Sequence, residues 1–155
     1  MPDREQIIQL LDKGRDEMHA VAEQLDLDLE VYPGWTKKHL IAHLAGWYDA
    51  VLASLQAHVD GEVPATPAAR GEDLYNAQTV SERVALSYEQ VAAEWEIDRA
   101  QLKELVRQMP EEKYRQQMVF PWGETGDVEK LVRDFASHEI FHARDVRKRH
   151  LDQES

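Results

Sequence analysis

The chain has 155 residues, 43% of them hydrophobic, and surface scaling gives roughly 8,000 Å² folded against roughly 26,000 Å² unfolded, which is enough burial for one core. A single domain over residues 1–155 is therefore expected. The sequence has no cysteine, so disulfides, thiolate metal ligands and a cysteine nucleophile are excluded, and any metal must be held by His, Asp or Glu. The formal charge of −12, from 30 acidic and 18 basic residues, argues against nucleic acid or an anionic membrane as partner. The start, MPDREQIIQLL, lacks a basic-then-apolar leader, and no apolar run approaches membrane-spanning length; a cytoplasmic protein is expected.

From Pro2 to about Leu25, apolar residues Ile7, Leu11, Met18, Val21, Ala22 and Leu25 recur at helical spacing behind a possible Asp3 cap, which predicts a first helix. Tyr32-Pro33-Gly34 is a turn signal. Thr36 then caps a predicted second helix striped by Leu40, Leu44, Trp47, Val51 and Leu55. The stretch 61–73, rich in Gly and Pro, reads as a surface loop. Thr79 and Glu82 fit a capping box that predicts a third helix, with Val84, Tyr88, Val91, Trp95 and Leu102 on its stripe, running to Pro110. Residues 110–126 break the pattern. Asp127 caps a predicted fourth helix, on which Leu131, Phe135, His138, His142 and Val146 share a face and whose basic end suits the helix dipole. The expectation is an all-α four-helix bundle, favoured over an irregular helical packing.

Three of the seven histidines lie on apolar stripes: His43 on the second helix, His138 and His142 on the fourth. A lone inward imidazole is ordinarily satisfied by a backbone carbonyl. A pair four residues apart must bury polar nitrogens side by side, at about 1–3 kcal/mol for each left unpaired, and a metal ion satisfies both. His43 is the candidate third ligand from the facing helix. His39, four residues before His43, lies in the first turn near Lys37 and Lys38 and is expected outside the site. His19, His58 and His150 are read as surface residues.

His138-Glu139-Ile140-Phe141-His142 matches the zinc-protease pattern H-E-x-x-H, in which the Glu is general base. Its extended form fails, because Asp145 and Lys148 stand where Gly and His are required, and too few residues follow for a distant ligand. A peptidase is not expected. Glu139 could serve as a general base only if the helix turned it toward the open site, and helix geometry points it about 100° away. Asp134, four residues before His138, and Asp145, three after His142, can accept a ring N–H or remain exposed carboxylates. Phe120 and Trp122, with Tyr75 and Asn76, either line a mouth or pack as a lid.

The segments GWTKKHLIAHLAGWYDAV (34–51), DLYN (73–76), FPWGE (120–124) and SHEIFHARDV (137–146) together resemble the DinB/YfiT-like superfamily, near its mycothiol-dependent maleylpyruvate isomerase-like and ClbS/DfsB-like branches. The resemblance spans nearly the whole chain. It implies a four-helix bundle in which His43, His138 and His142 hold a divalent metal, zinc or nickel, with an open position for water or substrate. It also implies a small-molecule substrate and a homodimer. In members that are enzymes, it implies transfer or isomerisation with a low-molecular-weight thiol such as mycothiol, bacillithiol or glutathione, or hydrolytic detoxification in a ClbS-like member. The extra C-terminal domain of the isomerases is not expected here, and with it a share of that activity.

Three neutral ligands leave the ion's charge uncompensated and a position open, the arrangement of a catalytic site. Three readings follow: a metal-dependent enzyme activating a thiol or water, a non-catalytic metal-binding bundle related to stress, and a helical interaction module with packed histidines.

Overall fold

The computed structural model describes residues 4–69 and 71–152. Among them four long helices, α1 (Arg4–Glu23), α2 (Lys37–Val59), α4 (Tyr88–Gln108) and α6 (Val128–His150), form an all-α four-helix bundle. Two short helices, α3 (Glu72–Ser81) and α5 (Glu111–Arg115), join them. So do two small hairpins, β1 (Glu30–Tyr32) with β2 (Trp35–Thr36) and β3 (Met118–Val119) with β4 (Thr125–Gly126). No described helix is long and apolar enough to cross a membrane.

α1 packs chiefly on α6, and α2 on α4. The α1 stripe of Ile7, Ile8, Leu11, Met18 and Val21 is buried, as the spacing requires. Asp3, the expected cap, lies outside the described residues. At the other end of α1, buried Lys37 donates from Nζ to the carbonyls of Ala22 (2.8 Å) and Leu25 (2.7 Å), satisfying backbone oxygens at the helix end and just beyond it.

α2 is buried on most of its circumference, with Leu40, Ile41, Leu44, Ala45, Tyr48, Val51 and Leu55 in the core, so it runs through the middle of the molecule. Its start is fixed by Thr36, whose backbone N–H donates to Nδ1 of His39 at 2.9 Å. That bond absorbs His39. The β1–β2 turn is made by Pro33-Gly34, with Gly34 at φ 81, where a side chain would be strained.

The third predicted helix starts later than its sequence suggests. Thr79 and Glu82 do not open it: Thr79 is buried in the last turns of α3, where its hydroxyl accepts from Arg83. The chain then turns, and Ser87 begins α4 in a reciprocal box with Gln90, the Gln90 N–H donating to Ser87 Oγ at 3.1 Å and the Ser87 N–H to Gln90 Oε1 at 2.9 Å. Two capping signatures stand eight residues apart, and burial decides between them. Val84 is 65% exposed, whereas Val91, Trp95, Leu102 and Val106 are buried. Asp127 caps α6 as expected, accepting from the Lys130 N–H at 2.9 Å.

His58 also departs from its expected surface position. It is buried and Nε2 lies 2.7 Å from the Lys113 carbonyl, so it ties α2 to α5. His150 reaches the Val31 carbonyl at 2.9 Å, and His19 pairs with Glu23.

Candidate metal centre

Three elements meet at one end of the bundle. α2 supplies His43, about two turns beyond its capped start; α6 supplies His138 and His142; and the β1–β2 hairpin supplies Tyr32 and Trp35. One nitrogen from each of His43, His138 and His142 lies within 4.8 Å of the others. Nε2 of His138 and Nε2 of His142 are 2.9 Å apart, less than twice the about 2.0–2.1 Å of a nitrogen–zinc bond, so both can face one ion. The His43 ring stands edge-on to both, with centroids 5.5 Å from His142 and 6.3 Å from His138.

The three rings differ in burial. His43 is 3% exposed, His142 is half-buried and His138 opens to solvent, so the α6 stripe faces a cavity at this level and not the packed core expected of it. Burial holds His43 far below the usual histidine range, to about 3, helped by His142 and His138, with Asn76 opposing. It holds His142 at about 4, helped by His138, with Asp145 opposing. His138 is lowered too, by burial, with Glu72 pulling the other way. All three are thus neutral near pH 7, the protonation state a metal ligand needs. Buried Nδ1 of His43 has no hydrogen-bond partner among the described residues, a cost of about 1–3 kcal/mol that a ligand would relieve. On these grounds the residues present fit a divalent cation.

His142 is oriented by Tyr32, which in sequence is part of a turn signal. The Tyr32 hydroxyl lies 2.8 Å from Asp145 Oδ2 and 3.1 Å from His142 Nδ1. The carboxylate can only accept, so the hydroxyl proton goes to Asp145 and the ring N–H of His142 donates to the Tyr32 oxygen. This leaves the lone pair on Nε2, toward His138. Asp145 thus acts on His142 through Tyr32; Tyr32, and secondarily Arg149, hold its carboxyl below the usual range. The clue available in sequence was a tyrosine beside a turn just before the helix bearing His43, too weak to place it against a helix a hundred residues on.

The other candidates are placed as follows. Asp134 binds Lys130 Nζ at 2.6 Å and lines the cavity without a bond to His138. Glu139 is 1% exposed; Trp95 Nε1 donates to it at 3.0 Å and the Tyr48 hydroxyl at 3.3 Å. Its carboxylate faces α1, where a Cβ on Gly14 would come within 2.8 Å of Oε1. Asn76 accepts from Trp47 Nε1 at 2.7 Å, and the Tyr75 hydroxyl donates to the Gly46 carbonyl at 2.7 Å, so both lock α3 against α2. Phe120 is fully buried beneath the β3–β4 hairpin, whereas Trp122 lines the cavity and donates to Glu124 at 2.7 Å. The cavity encloses about 630 Å³ and its lining includes the three histidines, Trp35, Trp47 and Trp122.

A second gathering of acids, Asp49, Glu94 and Asp98, has the Arg83 guanidinium bonded to two of its members, Glu94 and Asp49.

A helical bundle with three histidines at the floor of one cavity defines a class of bundles able to hold a divalent cation. Residues 6–147 match the family model described as mycothiol maleylpyruvate isomerase N-terminal domain, and the chain belongs to that family, within the DinB/YfiT-like superfamily. Among solved structures it is similar to a mycothiol-dependent maleylpyruvate isomerase (19% identity, TM-score 0.75), the match covering 94% of this chain and 61% of that one. It is similar also to YfiT from Bacillus subtilis, described as a probable metal-dependent hydrolase with an unusual four-helix bundle topology (17% identity, TM-score 0.68, 94% of this chain and 86% of that one). No curated protein matches. The chain spans less than two thirds of the isomerase's length.

Proposed function

We propose that this protein is a divalent-metal-dependent enzyme of small-molecule chemistry in which His43, His138 and His142 hold the ion, zinc or nickel, and a low-molecular-weight thiol is the activated group. The observation that carries the reading is the convergence of three neutral imidazoles on one point at the floor of a cavity of about 630 Å³. The names of the similar proteins, an isomerase using mycothiol and a probable metal-dependent hydrolase, agree with it. A divalent ion at such a site lowers the pKa of a thiol or water at its open position.

The chain's own residues supply the rest. Tyr32 and Asp145 hold the His142 tautomer, and His43 is held rigidly by the packing of α2. Trp35, Trp47 and Trp122 wall the cavity. Of the cavity carboxylates, Glu139, Asp134 and Glu124 are bonded elsewhere, to Trp95 and Tyr48, to Lys130, and to Trp122, and Glu72 forms no ion pair among the described residues. Thiol transfer is preferred over hydrolysis because the family model that matches the chain is described by its use of mycothiol.

Elemental analysis of freshly purified protein is expected to give close to one zinc or nickel per chain, lost in His142→Ala. A panel of thiols with electrophiles at near-neutral pH is expected to show metal-dependent turnover. Metal content unchanged in His142→Ala sinks the site, and turnover that needs metal but no thiol moves the reading to the hydrolase.

A further inference from the structure

We infer that this cavity, taken as the substrate face of the proposed metal site, selects ligands whose body is an organic cation and turns dianions away. Three carboxylates, Glu72, Glu124 and Asp134, stand on its walls beside the buried Glu139, which is turned to Trp95 and Tyr48, and no lysine or arginine is among the described residues that line it. Lys130 is shared between two of them: its Nζ is 2.6 Å from Asp134 and 3.7 Å from Glu124, one positive charge against two negative. Glu72, in the first turn of α3, forms no ion pair among the described residues and acts electrostatically on His138 across the cavity.

Between the carboxylates lie aromatic faces. Trp35 packs 5.3 Å from His43, Trp47 stands 6.1 Å from Trp122, and Phe135 closes the side toward α6. Indole faces and carboxylates together attract an ammonium or guanidinium group, the rings through their quadrupole and the acids through charge. The third component is the floor, where His43 converges with His138 and His142. The cavity is therefore bipolar: its floor offers neutral nitrogen donors for an electropositive centre and its walls repel negative charge. A fitting molecule carries its reactive, electron-rich atom at one end and positive charge on an aromatic-sized body at the other. A dicarboxylate places its second charge against Glu72 or the Glu124–Asp134 pair.

The test uses three probes of similar size that coordinate metals weakly: benzyltrimethylammonium, benzyl alcohol and m-benzenedisulfonate. Each is titrated into the protein as purified and followed by tryptophan fluorescence and calorimetry. The cation is expected to bind about tenfold more tightly than the alcohol, in line with one desolvated cation–π contact, and the disulfonate not measurably. Because Glu72 is exposed, Glu72→Lys folds; it should weaken the cation about fivefold and bring the disulfonate into measurable range. Equal or tighter binding of the disulfonate, binding of none of the three, or an order unmoved by Glu72→Lys overturns the inference. Metal content and thiol turnover are measured separately on the same preparation. Loss of metal dependence with the charge order intact therefore overturns the catalytic reading and not this one.

Discussion

The hydroxyl of Tyr32 stands 3.1 Å from Nδ1 of His142, across 110 residues of sequence, and by accepting a hydrogen bond from that ring's N–H it leaves Nε2 free to coordinate. Groups that fix a ligating histidine from behind typically contribute about 10–100-fold in metal affinity. Tyr32→Phe keeps the ring and removes the oxygen, so it is expected to weaken metal binding by about that factor in competition with a chelator. Thermal stability should move little, since Tyr32 is only partly buried. An unchanged metal affinity would show that the Tyr32 bond is packing alone.

Glu139 occupies the position of a protease general base and does a different job. Burial lifts its carboxyl to about 7, with Trp95, Arg99 and Tyr48 pulling it down, so near neutral pH it exchanges a proton inside the core. Glu139→Ala strands two buried donors, Trp95 Nε1 and Tyr48 Oη, and is expected to cost about 3 kcal/mol or more in denaturant unfolding. Glu139→Gln can keep accepting from Trp95 while the Tyr48 hydroxyl turns to accept from the amide, so its cost should be smaller. Both variants are expected to keep their metal. Loss of metal with stability intact would return Glu139 to the site.

The helical stripes were legible in sequence because each long helix buries one periodic face, and the triad was legible because two of its members share a helix turn. The hairpins were not legible. With two or three residues per strand they carry no alternation to read, yet they deliver Tyr32, Trp35 and Trp122 to the cavity. The start of α4 was misread because capping boxes are local, and the choice between Thr79 and Ser87 rests on which residues α2 buries. His58 was misread because its partner, the Lys113 carbonyl, belongs to a five-residue helix in a segment that looked irregular.

Asp98 gives the fold a pH dependence away from the histidines. It is 8% exposed with Oδ2 unpartnered, and burial, then Asp49 and Glu94, raise its carboxyl to about 8 against the pull of Arg83. An unfolded aspartate titrates near about 3.9. Between these values the native state holds a proton that the unfolded state has lost, so this group's contribution falls as pH rises. Asp98→Asn keeps the neutral shape. Its melting temperature relative to the parent is expected to climb from about pH 5 to about pH 8, and a flat difference would contradict the shift.

Gly46 determines how closely α3 approaches the cavity. A Cβ there would fall 1.7 Å from Thr79 Oγ1 and 2.6 Å from Thr79 Cβ, contacts no side-chain rotation relieves, because the second atom is fixed to the α3 backbone. Gly46→Ala must push α3 outward. The displacement loosens the Tyr75 bond to the Gly46 carbonyl and the Trp47 bond to Asn76, and it moves Glu72 on the first turn of the same helix. The expected result is a loss of about 1–3 kcal/mol in stability together with weaker binding of the cationic probe. Metal content should hold, because none of the three histidines lies on α3. Adding Thr79→Ala removes the nearer clash but also the hydroxyl that Arg83 uses, so the double variant should recover only part of the loss. Full stability in Gly46→Ala alone would mean that α3 is free to shift, and the wall carrying Glu72 would then be too loose to select by charge.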